Sequence, residues 1–79
     1  KLIQFAPKDG IYSFFRILEN KMVWVIFNRN NSSKTLATSR FDELIENHKS
    51  AFDVLNKKKI SISEKLIINA KSALILEIE

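Results

Sequence analysis

The residues of this chain that are best suited to catalysis are few and scattered. His48 is the only histidine among 79 residues, and there is no cysteine. A zinc site needs several His, Cys or carboxylate ligands that converge, and no recognisable ligand spacing surrounds His48. His48 follows a short helical pattern, so we interpret it as a structural residue near a helix C-terminus. We predict no metal site and no cofactor.

Paired carboxylates can cleave glycosidic bonds, and Asp42, Glu43 and Glu46 form an acidic cluster. Their spacing fits the solvated surface of a helix, which is our interpretation. The chain has no G-x-S-x-G, no P-loop and no histidine-based zinc motif. We therefore predict no catalytic residue and no enzymatic activity for the chain on its own.

Aromatic side chains are the remaining candidates for a binding site. Several lie in the first two strand patterns, and most of them should fill a small core. The apolar face of an aromatic ring can also stack on a sugar ring. Tyr12 and Trp24 combine such a face with a polar atom. We predict these two residues as the candidates for a carbohydrate contact.

The basic charge is dispersed. The formal net charge is +4 and the pI is about 9.6, but the only dense cluster is Lys57-Lys58-Lys59, between two strand patterns. A nucleic-acid interface normally groups its charge on one face with exposed aromatics. We interpret the lysines as a solvated turn and predict no nucleic-acid partner.

Length and composition indicate one small globular domain. An apolar fraction of 46% with this modest charge is too high for a disordered chain. The longest apolar run, Met22 to Phe27, is far shorter than the roughly 20 residues that span a bilayer. We therefore expect no membrane partner. The chain begins at Lys1 instead of a methionine, which fits a piece of a longer protein.

Alternation with period two, typical of β-strands, dominates the pattern. Ile11 to Leu18 and Met22 to Phe27, with a short polar break between them, predict an antiparallel hairpin. The second strand has no polar face, so we expect it to be central and covered on both sides. Thr35 to Thr38 is a candidate for a further short strand, and four more strands are predicted after it: Ala51 to Leu55, Ile60 to Ile62, Leu66 to Ile68 and Ser72 to Glu79.

One helical segment interrupts the strands, from Ser39 to His48. Ser39 could cap it, and two carboxylates would lie in its first turn. Phe41, Leu44 and Ile45 would form one apolar stripe. About seven strands with one short helical segment predict an all-β, single-domain β-sandwich over residues 1–79.

These elements occur in a recognisable order. The pieces are Phe5-x-Pro7, Asp9-Gly10-Ile11-Tyr12-Ser13-Phe14-Phe15-Arg16, Val23-x-Val25-Ile26-x-Asn28, Arg40-Phe41-x-Glu43, Asp53-Val54-Leu55, Ile60, and Ala70 to Glu77. This ordered set resembles the C-terminal domain of cyclomaltodextrinases and neopullulanases, in the α-amylase family of glycoside hydrolases. The chain departs from the pattern at Asn56-Lys57, where relatives often have a Thr-Gly pair.

The resemblance implies a Greek-key antiparallel β-sandwich that follows a catalytic (β/α)₈ barrel in the same parent chain. The catalytic carboxylates of that family lie in the barrel, and no residue here matches them. The implied function is a non-catalytic accessory domain that supports the barrel of an enzyme acting on starch or maltodextrins. The alternative is a carbohydrate-binding module that contacts α-glucan through surface aromatics.

A domain that docks on a barrel needs an apolar patch beyond its own core. We expect this patch to include Leu2, Ile3 and Phe5 near the start of the chain, and Ile75 on the outward face of the last strand. The last strands should close the domain as a hairpin.

Overall fold

The computed structural model describes residues 1–79 and shows an all-β sandwich of two antiparallel sheets, which confirms the predicted fold class. It has eight strands, where the pattern predicted about seven. They are β1 (Leu2–Lys8), β2 (Ile11–Leu18), β3 (Lys21–Asn28), β4 (Lys34–Ala37), β5 (Ser50–Asp53), β6 (Lys58–Ser61), β7 (Lys65–Ile68) and β8 (Ala73–Ile78). A 3-10 helix, Thr38–Phe41, and helix α1, Asp42–Ile45, lie between β4 and β5.

The large sheet contains six strands in the order β1-β2-β3-β8-β5-β6, and the small sheet pairs β4 with β7. The predicted hairpin is confirmed, because β2 and β3 pair along their full length, from Ile11 opposite Asn28 to Leu18 opposite Lys21. The central position of β3 is also confirmed, since β2 and β8 flank it. The expectation that both its faces are covered is wrong within this chain, because only one parity of β3 is buried and Phe27, on the other, is 41% exposed.

The predicted closing hairpin is wrong, because the last two strands belong to different sheets. β7 pairs with β4, whereas β8 lies between β3 and β5. Alternation shows which face of a strand is buried, and it carries no information about the partner strand. Both neighbours of β8 are distant in sequence, and such long returns are typical of Greek-key connections.

Strand β1 continues through Pro7 to Lys8. Proline has no N–H to donate, and it is tolerated at sheet edges and bulges. β1 is an edge strand, and its pairing with β2 shifts register between Phe5 and Lys8. This irregular edge accommodates Pro7 without the loss of a ladder hydrogen bond inside the sheet.

The core lies between the two sheets and is dominated by stacked aromatic rings. Trp24 stacks on Phe15 at 5.0 Å between ring centroids, and the ring of Phe41 lies 4.8 Å from that of Trp24. The buried apolar residues are Ile11, Phe15, Trp24, Ile26, Leu36, Phe41, Ile45, Ala51, Leu66, Ile68 and Leu76.

The helical segment is confirmed, but its predicted cap is wrong. Phe41 and Ile45 are buried and Leu44 is half-buried, as the apolar stripe predicted. Ser39 lies inside the 3-10 helix, and neither helix has a side-chain cap hydrogen bond. Packing of Phe41 into the core therefore holds this segment, because helices this short are not stable by propensity alone.

Candidate functional site

The outer face of the large sheet, directed away from the small sheet, is apolar at its centre. Phe14, Val25 and Ile75 form one cross-strand row, with Phe14 opposite Val25 and Val25 opposite Ile75. All three side chains are half-buried. A sheet face that is fully solvated normally carries polar side chains at such positions. We define the outer face by its apolar members, Tyr12, Phe14, Val23, Val25, Phe27, Phe52 and Ile75.

Charged side chains border this apolar centre on one side. A second cross-strand row runs over five strands in the order Arg16, Val23, Glu77, Phe52 and Lys59. Charged and apolar members thus alternate across the sheet, and the charged ones are exposed. An apolar centre with a polar rim is the usual anatomy of a protein–protein interface.

Tyr12 lies on the outer face, near the end of the large sheet. Its side chain is 40% exposed, and its cross-strand partner Phe27 is 41% exposed. The Tyr12 hydroxyl accepts a hydrogen bond of 3.1 Å from Nη1 of Arg29. The structure therefore places two neighbouring aromatic rings at the surface, one of them oriented by a guanidinium group.

The prediction that Trp24 is a surface aromatic is wrong, because Trp24 is fully buried. Its side chain is 0% exposed, and its Nε1 donates a 2.7 Å hydrogen bond to Oγ of Ser13 inside the core. β3 is apolar at both parities, so the sequence did not show which parity faces inward. The register with β2 places Trp24 opposite Phe15, on the inner face.

The predicted docking patch is only partly on the surface. Ile3 and Phe5 pack against the core, and the ring centroid of Phe5 lies 4.6 Å from that of Phe41. The prediction is wrong for these two residues, because the parity of β1 directs them inward. Leu2 is exposed, and Ile75 lies in the middle of the outer face.

The titratable residues named by the sequence do not converge. Nδ1 of His48 lies 2.8 Å from the carbonyl oxygen of Glu79, and the His48 amide donates to the Ile45 carbonyl at the end of α1. Asp42 and Glu46 are exposed on α1 and the residue after it. No group of three or more His, Cys, Asp or Glu side chains could hold a metal ion. No helix is long and apolar enough to cross a membrane.

Asp53 is a buried carboxylate whose role the sequence did not reveal. Its Oδ1 accepts a hydrogen bond from the Asn56 amide at 3.1 Å, and its Oδ2 accepts one from Asn56 Nδ2 at 2.8 Å. The Asn56 side chain, the neighbouring amides and the charge of Lys58 hold the pKa of Asp53 below its ordinary value, although burial opposes this. Asp53 therefore shapes the β5–β6 turn, which explains its place in the Asp53-Val54-Leu55 motif.

Asn28 is the second buried polar residue that sequence reasoning missed. Its Nδ2 lies 3.0 to 3.1 Å from the carbonyl oxygens of Ser32, Ile68 and Asn69, and these three acceptors share its two hydrogens. Its Oδ1 accepts from the backbone and side-chain amides of Asn30, both at 2.9 Å. Asn28 thus joins the loop after β3 to the connection between β7 and β8.

Gly10 completes this network from the β1–β2 turn. It has a φ of +75°, and a Cβ atom there would lie 2.5 Å from Nδ2 of Asn30. That Nδ2 donates to the Asp9 carbonyl oxygen at 2.7 Å. The positive φ and this close approach both favour glycine at position 10. Through Asn30, the Asp9-Gly10 turn and Asn28, both in the motif set, are joined at one end of the sandwich.

Comparison with known proteins places this arrangement in context. Residues 2–77 match the model of the family described as the Cyclo-malto-dextrinase C-terminal domain. The fold is similar to part of an Anoxybacillus α-amylase crystal structure, with a TM-score of 0.79 and 17% identity over 99% of this chain and 17% of that one. It is also similar to part of α-galactosidase I from Mortierella vinacea, with a TM-score of 0.74 and 17% identity over 95% of this chain and 22% of that one. The chain thus spans about a fifth of each of these proteins.

Proposed function

Because the chain belongs to the family of cyclomaltodextrinase C-terminal domains, we propose that it is a non-catalytic accessory domain of an α-amylase-family glycoside hydrolase. In this proposal residues 1–79 form one C-terminal domain, and the parent enzyme acts on starch or maltodextrins. The domain packs against the catalytic (β/α)₈ barrel of the same protein and supports it.

The apolar outer face is the observation that carries this proposal. Phe14, Val25 and Ile75 lie in one row at its centre, and exposed charges border it. Burial of apolar area releases about 25 cal/mol per Å², so a partner that covers this row stabilises both surfaces. The small sheet packs on the opposite face, so the outer face is the face of the large sheet that no other element of the chain covers.

The chemistry of the chain supports the non-catalytic part of the proposal. The pKa of Asp53 is lowered, and both its carboxylate oxygens accept hydrogen bonds within its own turn. Catalytic groups usually combine a perturbed pKa with an accessible cleft. Asp53 has the first property only.

Two measurements test the proposal. The isolated chain should show no turnover of α-glucans, and measurable turnover would contradict its non-catalytic role. In the parent protein, Ile75→Glu should lower the melting temperature of the barrel, because it places a charge in the proposed interface. Ser33→Glu, in an exposed loop, is the matched control. Equal melting temperatures for the two variants would contradict the docking role.

Carbohydrate binding is the second candidate function, and the exposed pair Tyr12 and Phe27 favours it. Their adjacent rings offer a stacking surface, and Arg29 adds donors beside the Tyr12 hydroxyl. Titration of the isolated chain with maltooligosaccharides should shift the amide resonances of β2 and β3 near these residues. Absence of shifts at millimolar sugar would exclude this candidate and leave the docking proposal intact.

A further inference from the structure

A cleft separates the small sheet from the β1–β2 turn, on the side of the molecule away from the outer face. Its volume is about 440 Å³, within the ~300–1,000 Å³ usual for ligand sites. β4 forms one wall, and the end of β1 with the start of β2 forms the other. Ile11, Leu36 and Ala37 supply its apolar surface.

The cleft carries positive charge without an internal partner. Lys8, Lys34 and Arg40 line it, against the single carboxylate of Asp9. The only ion pair in the chain joins Lys59 to Glu79, and neither residue lines the cleft. The three cations therefore have no carboxylate within 4.0 Å, and a bound anionic group would meet attractive charge on both walls.

Arg40 is held in position before any ligand arrives. Its Nη2 donates a 2.6 Å hydrogen bond to the Ala6 carbonyl oxygen. The guanidinium carbon lies 5.6 Å from the ring centroids of both Phe5 and Phe41. An Arg fixed on aromatic faces keeps further N–H donors in the fork geometry that suits a carboxylate.

The wall formed by β4 is an unpaired strand edge. β4 pairs with β7 on one side only. The two edges of the large sheet are protected by devices that natural proteins use against strand addition: β1 has Pro7 and an irregular register, and β6 carries Lys58 and Lys59. In the small sheet β7 also has a free edge, but only the edge of β4 lies along the basic cleft. On β4 the single lysine, Lys34, lines the cleft and adds to its positive charge.

We propose that this cleft binds an extended acidic segment of a protein. The segment adds to the free edge of β4 through main-chain hydrogen bonds, as in other cases of β-strand addition. Its Asp or Glu side chains, alternating along the strand, contact Lys8, Lys34 and Arg40. The cleft shares no residue with the outer face. A test of peptide binding to the cleft is therefore independent of whether the outer face docks on the barrel.

The test is a titration of the isotope-labelled 79-residue chain with a synthetic peptide of alternating Glu and Val. We expect amide shifts confined to β4 and to the Lys8–Asp9 region, and weaker binding as salt rises. A Gln-Val peptide of equal length should bind much more weakly. Lys8→Gln and Lys34→Gln should each weaken binding by about two- to five-fold, the range of exposed charge pairs.

The control variants Lys21→Gln and Lys49→Gln remove equal charge at exposed positions outside the cleft and should leave affinity nearly unchanged. The proposal is overturned if millimolar Glu-Val peptide shifts nothing, or if the Gln-Val peptide binds equally well. Inorganic sulfate is the second probe. Sulfate that reproduces every shift, including those of β4, would show a simple anion site in place of strand addition.

Discussion

At the scale of single residues, buried polar side chains fix the turns of this small sandwich. Asn28 is 0% exposed, and its amide group contacts both the loop after β3 and the connection between β7 and β8. No buried side-chain polar atom of the chain lacks a hydrogen-bond partner. A buried polar group of this kind stabilises the fold because its donors and acceptors are all satisfied. Removal of the side chain would leave several backbone groups without partners.

Asn28→Ala should therefore destabilise the isolated chain strongly. We expect a loss of about 2–4 kcal/mol in the free energy of unfolding, because more than one buried backbone group is left unsatisfied. Urea unfolding followed by circular dichroism measures it. Asn31→Ala, at an exposed position of the same loop, should change stability by less than about 0.5 kcal/mol. Equal stability of the two variants would contradict the role of Asn28.

Asp53 predicts a specific pH dependence. Its pKa is lower in the folded chain than the ordinary value of 3.8. The stabilisation from its ionised form is therefore complete above that value and is lost as the pH falls through the folded pKa. Asp53→Asn should be less stable at pH 7 by about 1–2 kcal/mol, because charged hydrogen bonds are lost. It should also lose less stability than the wild type between pH 4 and pH 2.

Unfolding by urea at several pH values tests this account of Asp53. Parallel pH curves for Asp53→Asn and the wild type would contradict it. Asp42→Asn, an exposed carboxylate on α1, is the control that should leave the acid limb of the curve unchanged.

Lys57 is a residue at which the chain departs from the family pattern in the β5–β6 turn. It has a φ of 55°, in the left-handed region where glycine has no steric cost. Lys57→Gly should stabilise the chain by up to about 1 kcal/mol, because relief of the backbone strain exceeds the added entropy of the unfolded state. Lys58→Gly, one residue later in β6, should instead destabilise it by about 0.5–1 kcal/mol. A lower melting temperature for Lys57→Gly would refute this explanation.

At the scale of elements, the sequence predicts local structure well and strand partners poorly. The β2–β3 hairpin follows from two alternating runs and a short break, so no distant contact is needed to predict it. The separation of β7 and β8 into two sheets depends on contacts with β4 and β3, far away in sequence. The face of Trp24 was unpredictable for the same reason, since β3 is apolar on both sides.

The helical segment gives a prediction at this scale. Ser39 makes no cap hydrogen bond, so Ser39→Ala should change stability by less than about 0.5 kcal/mol, whereas loss of a true cap costs about 1 kcal/mol. Phe41→Ala should cost about 3–5 kcal/mol, because it opens a cavity among the core aromatics. Thermal unfolding of both variants measures the difference. A cost for Ser39→Ala as large as that of a true cap would show that the serine supports the helix.

At the scale of the whole molecule, the sandwich has two surfaces of different character. The outer face of the large sheet is apolar, and the cleft beside β4 is basic. The motif order led to the correct family, but the sequence placed half of the docking patch, Ile3 and Phe5, on the wrong face. Those residues lie on an edge strand whose parity depends on its register with β2.

In the proposed function the barrel covers the outer face in the parent protein. The chain contains no cysteine, so single cysteines introduced into it can be followed by peptide mass spectrometry after thiol labelling. Phe27→Cys and Ile75→Cys probe the outer face, and Ser33→Cys is the exposed control. We predict that both outer-face thiols react readily in the isolated chain and are strongly protected in the parent protein, while Ser33→Cys reacts equally in both. Equal reactivity of the outer-face thiols in the two settings would contradict docking of this face on the barrel.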